Sequence, residues 1–346
     1  MDSTPQTQTA GSKTGKPRIE FVDLAKGFCI ILVVMFHLQL YMAYYTPFDW
    51  MARSFRMPLY FILSGLFFKE YEGFLGFLKR KTNKLLIPFL AFYLLSNLVI
   101  PWIGSLLGWC EFNWKMPFAF FMERSWPNVA IWFLWCLFSM NLVFYGIVLL
   151  AKKSSKYQIV IMLALSFLLG AVGYTLSQKK VELPFFWDTA CTAMPFFCMG
   201  YILNKFTDIL RPNKWDKYIL PMILVLALAT KLLANNTLDY KNNVYLMSFP
   251  RIYICGICGT LCVLFIAKVF KKLPLISYWG RYSIIILVTH YELRPLFVET
   301  VRLLGLPDWG TLLVSLVLMM LSYLLIIPLM IKFFGYITAQ KDVIAV

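Results

Sequence analysis

Followed from end to end, the apolar and polar positions divide the chain into ten apolar runs separated by charged or turn-rich breaks. The runs lie near 21–41, 54–68, 85–106, 130–150, 157–177, 186–204, 216–234, 250–270, 281–299 and 311–334. Most approach the ~20 apolar residues that a helix needs to cross a hydrocarbon core of about 30 Å. Backbone groups in lipid must be satisfied within their own segment, so runs of this kind are helices. The pattern predicts an all-α, polytopic integral membrane protein with about ten transmembrane helices. Residues 1–18 are rich in Thr, Ser, Gln, Gly and Lys, without an apolar pattern, and predict a disordered tail. The membrane domain is expected over 19–336 and a short tail over 337–346. The first run lacks a small-residue cleavage site of the A-x-A kind, so it is expected to stay as an anchor.

Composition fixes the class. The 346 residues are 60% hydrophobic, 18% aromatic and 14% charged, with a mean hydropathy of +0.70. A soluble domain is about a quarter charged, so this chain has too little polar surface to cover itself in water. The formal charge is +16, and its placement carries more than its size. About two thirds of the Lys and Arg residues fall on alternate connections, among them Lys69, Lys79, Arg80, Lys81, Lys152 and Lys153. The positive-inside rule makes that side cytoplasmic and puts both termini there. The charge thus reports orientation in a lipid bilayer, and nucleic acid is not the expected partner.

Of the eight cysteines, all but Cys110 lie in apolar runs and read as small buried hydrophobes. Cys255, Cys258 and Cys262 have zinc-like spacing, but no His is near them and thiolates would be costly there, so no metal is expected. Trp109, Trp114 and Trp126, between Leu107 and Val129, suit an interfacial aromatic belt or, more sharply, a sugar-stacking surface.

Chemistry concentrates on a few polar residues inside the runs. The two histidines, His37 and His290, both sit in predicted spans, where an ionisable side chain is costly unless it faces a cavity or a partner. In the first run, Asp23, Lys26 and His37 share one helical face, with His37 about 16 Å above Lys26 at ~1.5 Å per residue. A cation at the mouth and an imidazole deep above it suit an elongated anionic cofactor entering from the cytosol. Arg53 and Arg56, three apart just before the second predicted span, are candidates for orienting an acceptor or a developing oxyanion. Ser64-Gly65 suits close helix packing. Asp188, at the outer start of the sixth run, is a further acceptor contact, and His290 is expected to line the same cavity as His37 or to cap a buried bond.

These residues occur in an order that resembles a known family. The matching motifs are Asp23-x-x-Lys26-Gly27 with His37 eleven residues after Lys26, then Arg56-Met-Pro58-Leu-Tyr-Phe61-Ile-Leu-Ser64-Gly65. They continue with Lys79-Arg80-Lys81-Thr-Asn-Lys84-Leu-Leu-Ile-Pro88, Trp132-Phe133-Leu134, Pro195-Phe-Phe-Cys-Met-Gly200, and Gly280-Arg281-Tyr-Ser283 leading to His290. Over about residues 18–335 the chain is similar to integral-membrane acyltransferase family 3, in particular its fucose 4-O-acetylase-like branch. Two positions depart from that pattern: Lys26 stands where many members have Arg, and Lys81-x-x-Lys84 where they commonly have Arg-x-x-Arg.

The resemblance implies transfer of an acetyl-type group from acyl-CoA to a hydroxyl of a cell-envelope glycan, in the bacterial inner membrane, with a catalytic histidine at His37. A sugar hydroxyl is a weak nucleophile at neutral pH, and a positioned imidazole can remove its proton as the bond to the thioester carbon forms. His37 is then the general base, or itself accepts the acyl group and passes it on. Asp23 is expected to hold Lys26 or the helix entry. The CoA phosphates call for Lys26, Arg80, Lys81 and Lys84. The rival reading is a proton-coupled transporter or exporter of a small polar solute, in which His37 and His290 relay protons.

Overall fold

The computed structural model of the chain describes residues 20–109, 111–115, 118, 126–234 and 238–345. The tail expected over 1–18 and Cys110 lie outside the described residues. What is described is almost wholly helical, as the runs require. In chain order the helices are α1 (Glu20–Met42), α2 (Pro47–Leu66), α3 (Gly73–Lys81), α4 (Ile87–Leu94), α5 (Ile100–Leu106), α6 (Trp132–Lys152) and α7 (Gln158–Gln178). There follow α8 (Trp187–Lys205), α9 (Ile219–Leu233), α10 (Phe249–Phe270), α11 (Pro274–Arg281), α12 (Ser283–Arg302) and α13 (Asp308–Phe334). Strands β1 (Leu238–Asp239) and β2 (Val244–Tyr245) form a small antiparallel hairpin that the apolar pattern does not announce.

Six of the described helical segments are long and apolar enough to cross a membrane: Phe21–Met42, Gly73–Leu106, Val129–Lys152, Ser155–Gln178, Phe249–Phe270 and Asp308–Phe334. The other four predicted runs are helices too, but α9 is short and α2, α8 and α12 carry charged and polar side chains inside their length. Their polar residues are largely buried against neighbouring helices.

Two elements begin earlier than the apolar pattern suggests. The second helix starts at Pro47, which is preorganised for a first helical turn, so Asp49, Arg53 and Arg56 lie inside α2. The third run is one continuous rod from Gly73 to Leu106, interrupted by two π-helical segments, Thr82–Leu86 and Leu95–Val99. Each wide turn precedes a proline, Pro88 and Pro101, whose ring has no N–H and would clash with the carbonyl four residues back. Widening the turn relieves that clash without ending the helix.

Glycines let the central helices touch. A methyl group at Gly280 would overlap the Asp23 carbonyl, and one at Gly27 would overlap the Ile276 carbonyl, so α1 and α11 cross backbone to backbone. Gly65 and Gly200 do the same for α2 and α8, against Phe197 and Ile62. Four of the sequence motifs are therefore two packing joints, and Ser64-Gly65 has the packing role its small size suggests. α1, so clamped, also packs on α2, α10, α12 and α13, and His37 is buried among packed helices.

Candidate active site

His37 and His290 meet although 253 residues separate them. The His37 Nδ1 lies 2.8 Å from the His290 Nε2, and the His290 Nδ1 lies 2.8 Å from the Ile286 carbonyl oxygen one turn back on α12. A carbonyl only accepts, so the His290 Nδ1 carries the hydrogen and donates. In the neutral ring its Nε2 is then an acceptor, and the His37 Nδ1–H donates to it. The remaining nitrogen of His37, Nε2, keeps its lone pair. The chain Ile286 carbonyl, His290, His37 thus fixes a tautomer in which the second imidazole is a base. His37 is 8% exposed and His290 fully buried, so both rings face the helix interior.

Arginines surround the pair. The Arg294 Nη1 reaches the His37 carbonyl at 3.5 Å, its Nε donates to the Tyr291 carbonyl at 2.8 Å, and its guanidinium lies over the Tyr291 ring. The Tyr291 ring meets the His37 ring edge-on at 5.3 Å. On the other side Arg56, 5% exposed, stacks on Phe36 at 4.1 Å and ion-pairs through Nη1 with Asp49 at 3.2 Å. Arg53 pairs with the second oxygen of the same carboxylate. The candidates read from sequence include both arginines but miss Asp49, which is fully buried. Its positions, four and seven residues before the arginines, are the helical spacings of a face-sharing triad and were the available signal.

The four cations singled out for phosphates converge. Lys26, Arg80, Lys81 and Lys84 all line one cavity of about 380 Å³, enclosed by α1, α2, α3 with its following π segment, α6 and α12. Aromatic faces hold several of them: Lys26 lies 4.2 Å from the Phe67 ring centroid and Arg80 4.7 Å from that of Tyr71. From this basic mouth the cavity rises between apolar walls to Tyr60, Phe133 and Leu287. Its roof is one helical turn short of Arg56 on α2 and of His290 on α12, roughly 5–6 Å by the rise per residue. His37 stands above the roof and does not line the cavity.

The C-terminal segment straps the mouth. Asn83, nearly fully buried, accepts from the backbone N–H groups of Val343 and Ile344 and donates to the Ile344 carbonyl. The Lys84 ammonium donates to the Ala339 carbonyl at 2.8 Å and pairs with Asp342 at 3.0 Å.

The remaining candidates fall elsewhere. Asp188 is fully buried at the start of α8, on the seam with α7, where its carbonyl accepts from Thr192; it does not join the histidine pair. Asp23 presents its carbonyl to Gly280 at the α1–α11 joint, about four turns from His37 along α1. Trp126 is buried among Phe89, Tyr93 and Phe186, whereas Trp109 and Trp114 are exposed. Cys255 and Cys262 point at carbonyls of α9, Thr230 and Ile223.

A family model described as an acyltransferase domain, that of acyltransferase family 3, matches residues 19–331. The chain belongs to that family. No curated protein and no solved structure matches it. The match covers every helix from α1 into α13, and thus both histidines, the three arginines around them and the basic cavity. The acyltransferase is a multi-pass membrane protein.

Proposed function

We propose that the protein moves an acetyl or other short acyl group from acyl-CoA to a hydroxyl of a cell-envelope sugar, in the manner of the fucose 4-O-acetylase-like branch. The observation that carries this reading is the fixed tautomer of His37, poised one turn above a cavity whose mouth holds four cations. His37 is the base. The acceptor oxygen attacks the thioester carbon while His37 Nε2 takes its proton; the carbon–sulfur bond then breaks, and the departing thiolate takes the proton back. The balance closes on an ester and CoA thiol, with no other reactant.

Dimensions support the donor. A phosphopantetheine arm of about thirteen bonds extends roughly 15 Å, at the 3.3–3.6 Å that three backbone bonds cover in a polypeptide. That matches the ~16 Å rise from Lys26 to His37. With its phosphates at Lys26, Arg80, Lys81 and Lys84, the extended arm would reach through the cavity roof to the level of the imidazole. Arg56 stands beside the histidine pair, one turn above the cavity roof, and Arg53 and Arg294 lie a further turn from these cations along α2 and α12; we assign the acceptor and the oxyanion to that end. Ten spans, with both termini and the basic mouth in the cytoplasm of a bacterial inner membrane, complete the proposal.

Purified protein in vesicles, given radiolabelled acetyl-CoA and a fucose- or rhamnose-type acceptor, is expected to yield labelled sugar. Labelled sugar at the level of empty vesicles with every such acceptor would overturn the acceptor class. Lys26→Ala is expected to raise the apparent KM for acetyl-CoA and leave that for the acceptor unchanged; an unaltered donor KM would remove Lys26 from the phosphate site.

The strap supplies a second expectation of opposite sign. Asp342 competes with donor phosphate for Lys84, across a half-exposed pair of the kind that contributes about 0.2–1 kcal/mol. Asp342→Asn is therefore expected to lower the donor KM by roughly 1.5- to fivefold. A rise in KM would show instead that the strap supports donor binding.

A further inference from the structure

At Asn141 the wall of the basic cavity carries a buried acceptor for which no described residue supplies a donor. Asn141, on α6 and 2% exposed, lines the cavity just inside its mouth, at the level of Phe67. Its Nδ2 donates to the Leu137 carbonyl at 2.7 Å, one turn back. That bond decides the orientation of the amide, because only the nitrogen end can donate to a carbonyl. The other end, Oδ1, is an acceptor with no donor within reach. Around it the shaft is apolar, formed by Leu63, Leu85, Leu134, Leu137 and Phe133. A buried acceptor left without a donor is costly, so the chemistry that completes this wall must bring an N–H or O–H group.

We infer that Asn141 Oδ1 accepts a hydrogen bond from the pantetheine arm of the donor and so makes this cavity specific for pantetheine thioesters. The inference rests on the donor reading above and adds what that reading does not contain, namely which part of the donor is recognised between the phosphates and the thioester. Phosphates and acyl chains cannot satisfy Oδ1, since the first only accept and the second do neither. The pantetheine arm carries a hydroxyl and two amide N–H groups along an otherwise apolar chain. Its pantoyl hydroxyl and the adjacent amide follow the phosphate by a few bonds, which brings them within reach of Asn141 when the phosphate sits among the cations of the mouth. Asn141 is thus a positioning residue: it holds the arm in register so that the thioester stops at the level of the imidazole.

The test separates the arm from the phosphates. Binding of CoA and of adenosine 3′,5′-bisphosphate, which has the phosphates but no pantetheine, is measured on the wild type and on Asn141→Leu in detergent. The leucine keeps the branching of the side chain without its polar atoms, and the thermal midpoint of the variant reports whether the fold survives. Asn141→Leu is expected to weaken CoA two- to tenfold, the worth of one hydrogen bond, and to leave the bisphosphate unchanged. A CoA analogue with an ester in place of the pantoyl amide makes the complementary change on the wild-type protein. Neither the variant nor the analogue lowering CoA affinity would overturn the inference, as would an equal loss for the bisphosphate. A wild type that binds neither CoA nor the bisphosphate would instead overturn the donor reading itself.

Discussion

His37→Ala protein is expected to fold and to bind CoA, and to transfer acetyl groups 10²- to 10⁴-fold more slowly than the wild type, the usual range for one general base. The variant removes a side chain from a helix whose packing is set elsewhere, at the Gly27–Gly280 joint, which is why the fold is expected to survive. His290→Ala is expected to cost less than His37→Ala. It deletes the acceptor that holds the His37 Nδ1 hydrogen, so the second ring keeps its chemistry and loses its fixed tautomer and orientation. The single-turnover rate of labelled acetyl transfer, at saturating donor and acceptor, checks both. If His37→Ala retained full transfer, the base would have to be sought elsewhere; if His290→Ala were slower than His37→Ala, the order of the relay would be wrong.

The largest expected effect on stability lies at a glycine. Gly280→Leu puts a side chain where the Asp23 carbonyl and the Gly27 nitrogen now stand. Overpacking a core typically costs about 1–3 kcal/mol, and here the neighbour is backbone, which cannot turn aside, so the cost lies at the top of that range or above it. Against a total of about 5–15 kcal/mol, a lowered thermal midpoint and loss of monodisperse protein are expected. Gly146 on α6 is the control, since nothing lies within 4 Å of a Cβ there. Equal melting of Gly280→Leu and Gly146→Leu would mean that α1 and α11 do not cross as described.

Much of this architecture was legible because a membrane leaves the chain few options. Each of the ten runs is a helix, and the cations assigned to phosphates from sequence do share one cavity. The contact between His37 and His290 was legible only in part: two histidines in apolar runs announce themselves, but nothing local says that α1 and α12 bring them within a hydrogen bond. Asp49 escaped because the apolar pattern starts the second run at 54, whereas the proline at 47 starts the helix. The hairpin escaped as well. Its two-residue strands are held by side chains distant in sequence, such as Gln178 on the Tyr245 carbonyl and Thr189 on that of Tyr240. Asn141 reads in sequence as one more polar residue in an apolar run; only the bond from its Nδ2 to the Leu137 carbonyl shows which atom is left without a partner.

The wide turn at Thr82–Leu86 has a bearing on how relatives are to be aligned. A π turn holds one residue more than an α turn, so the rows of side chains before and after it are out of phase by about 100°. Lys81 and Lys84, three apart, reach the same cavity although the wide turn begins between them. A single gap placed anywhere in this stretch would restore a regular wheel on paper while sliding either the cations or the Pro88 helix onto the wrong face. Register here is therefore to be judged by which side chains reach the cavity, and not by the count of residues between basic positions.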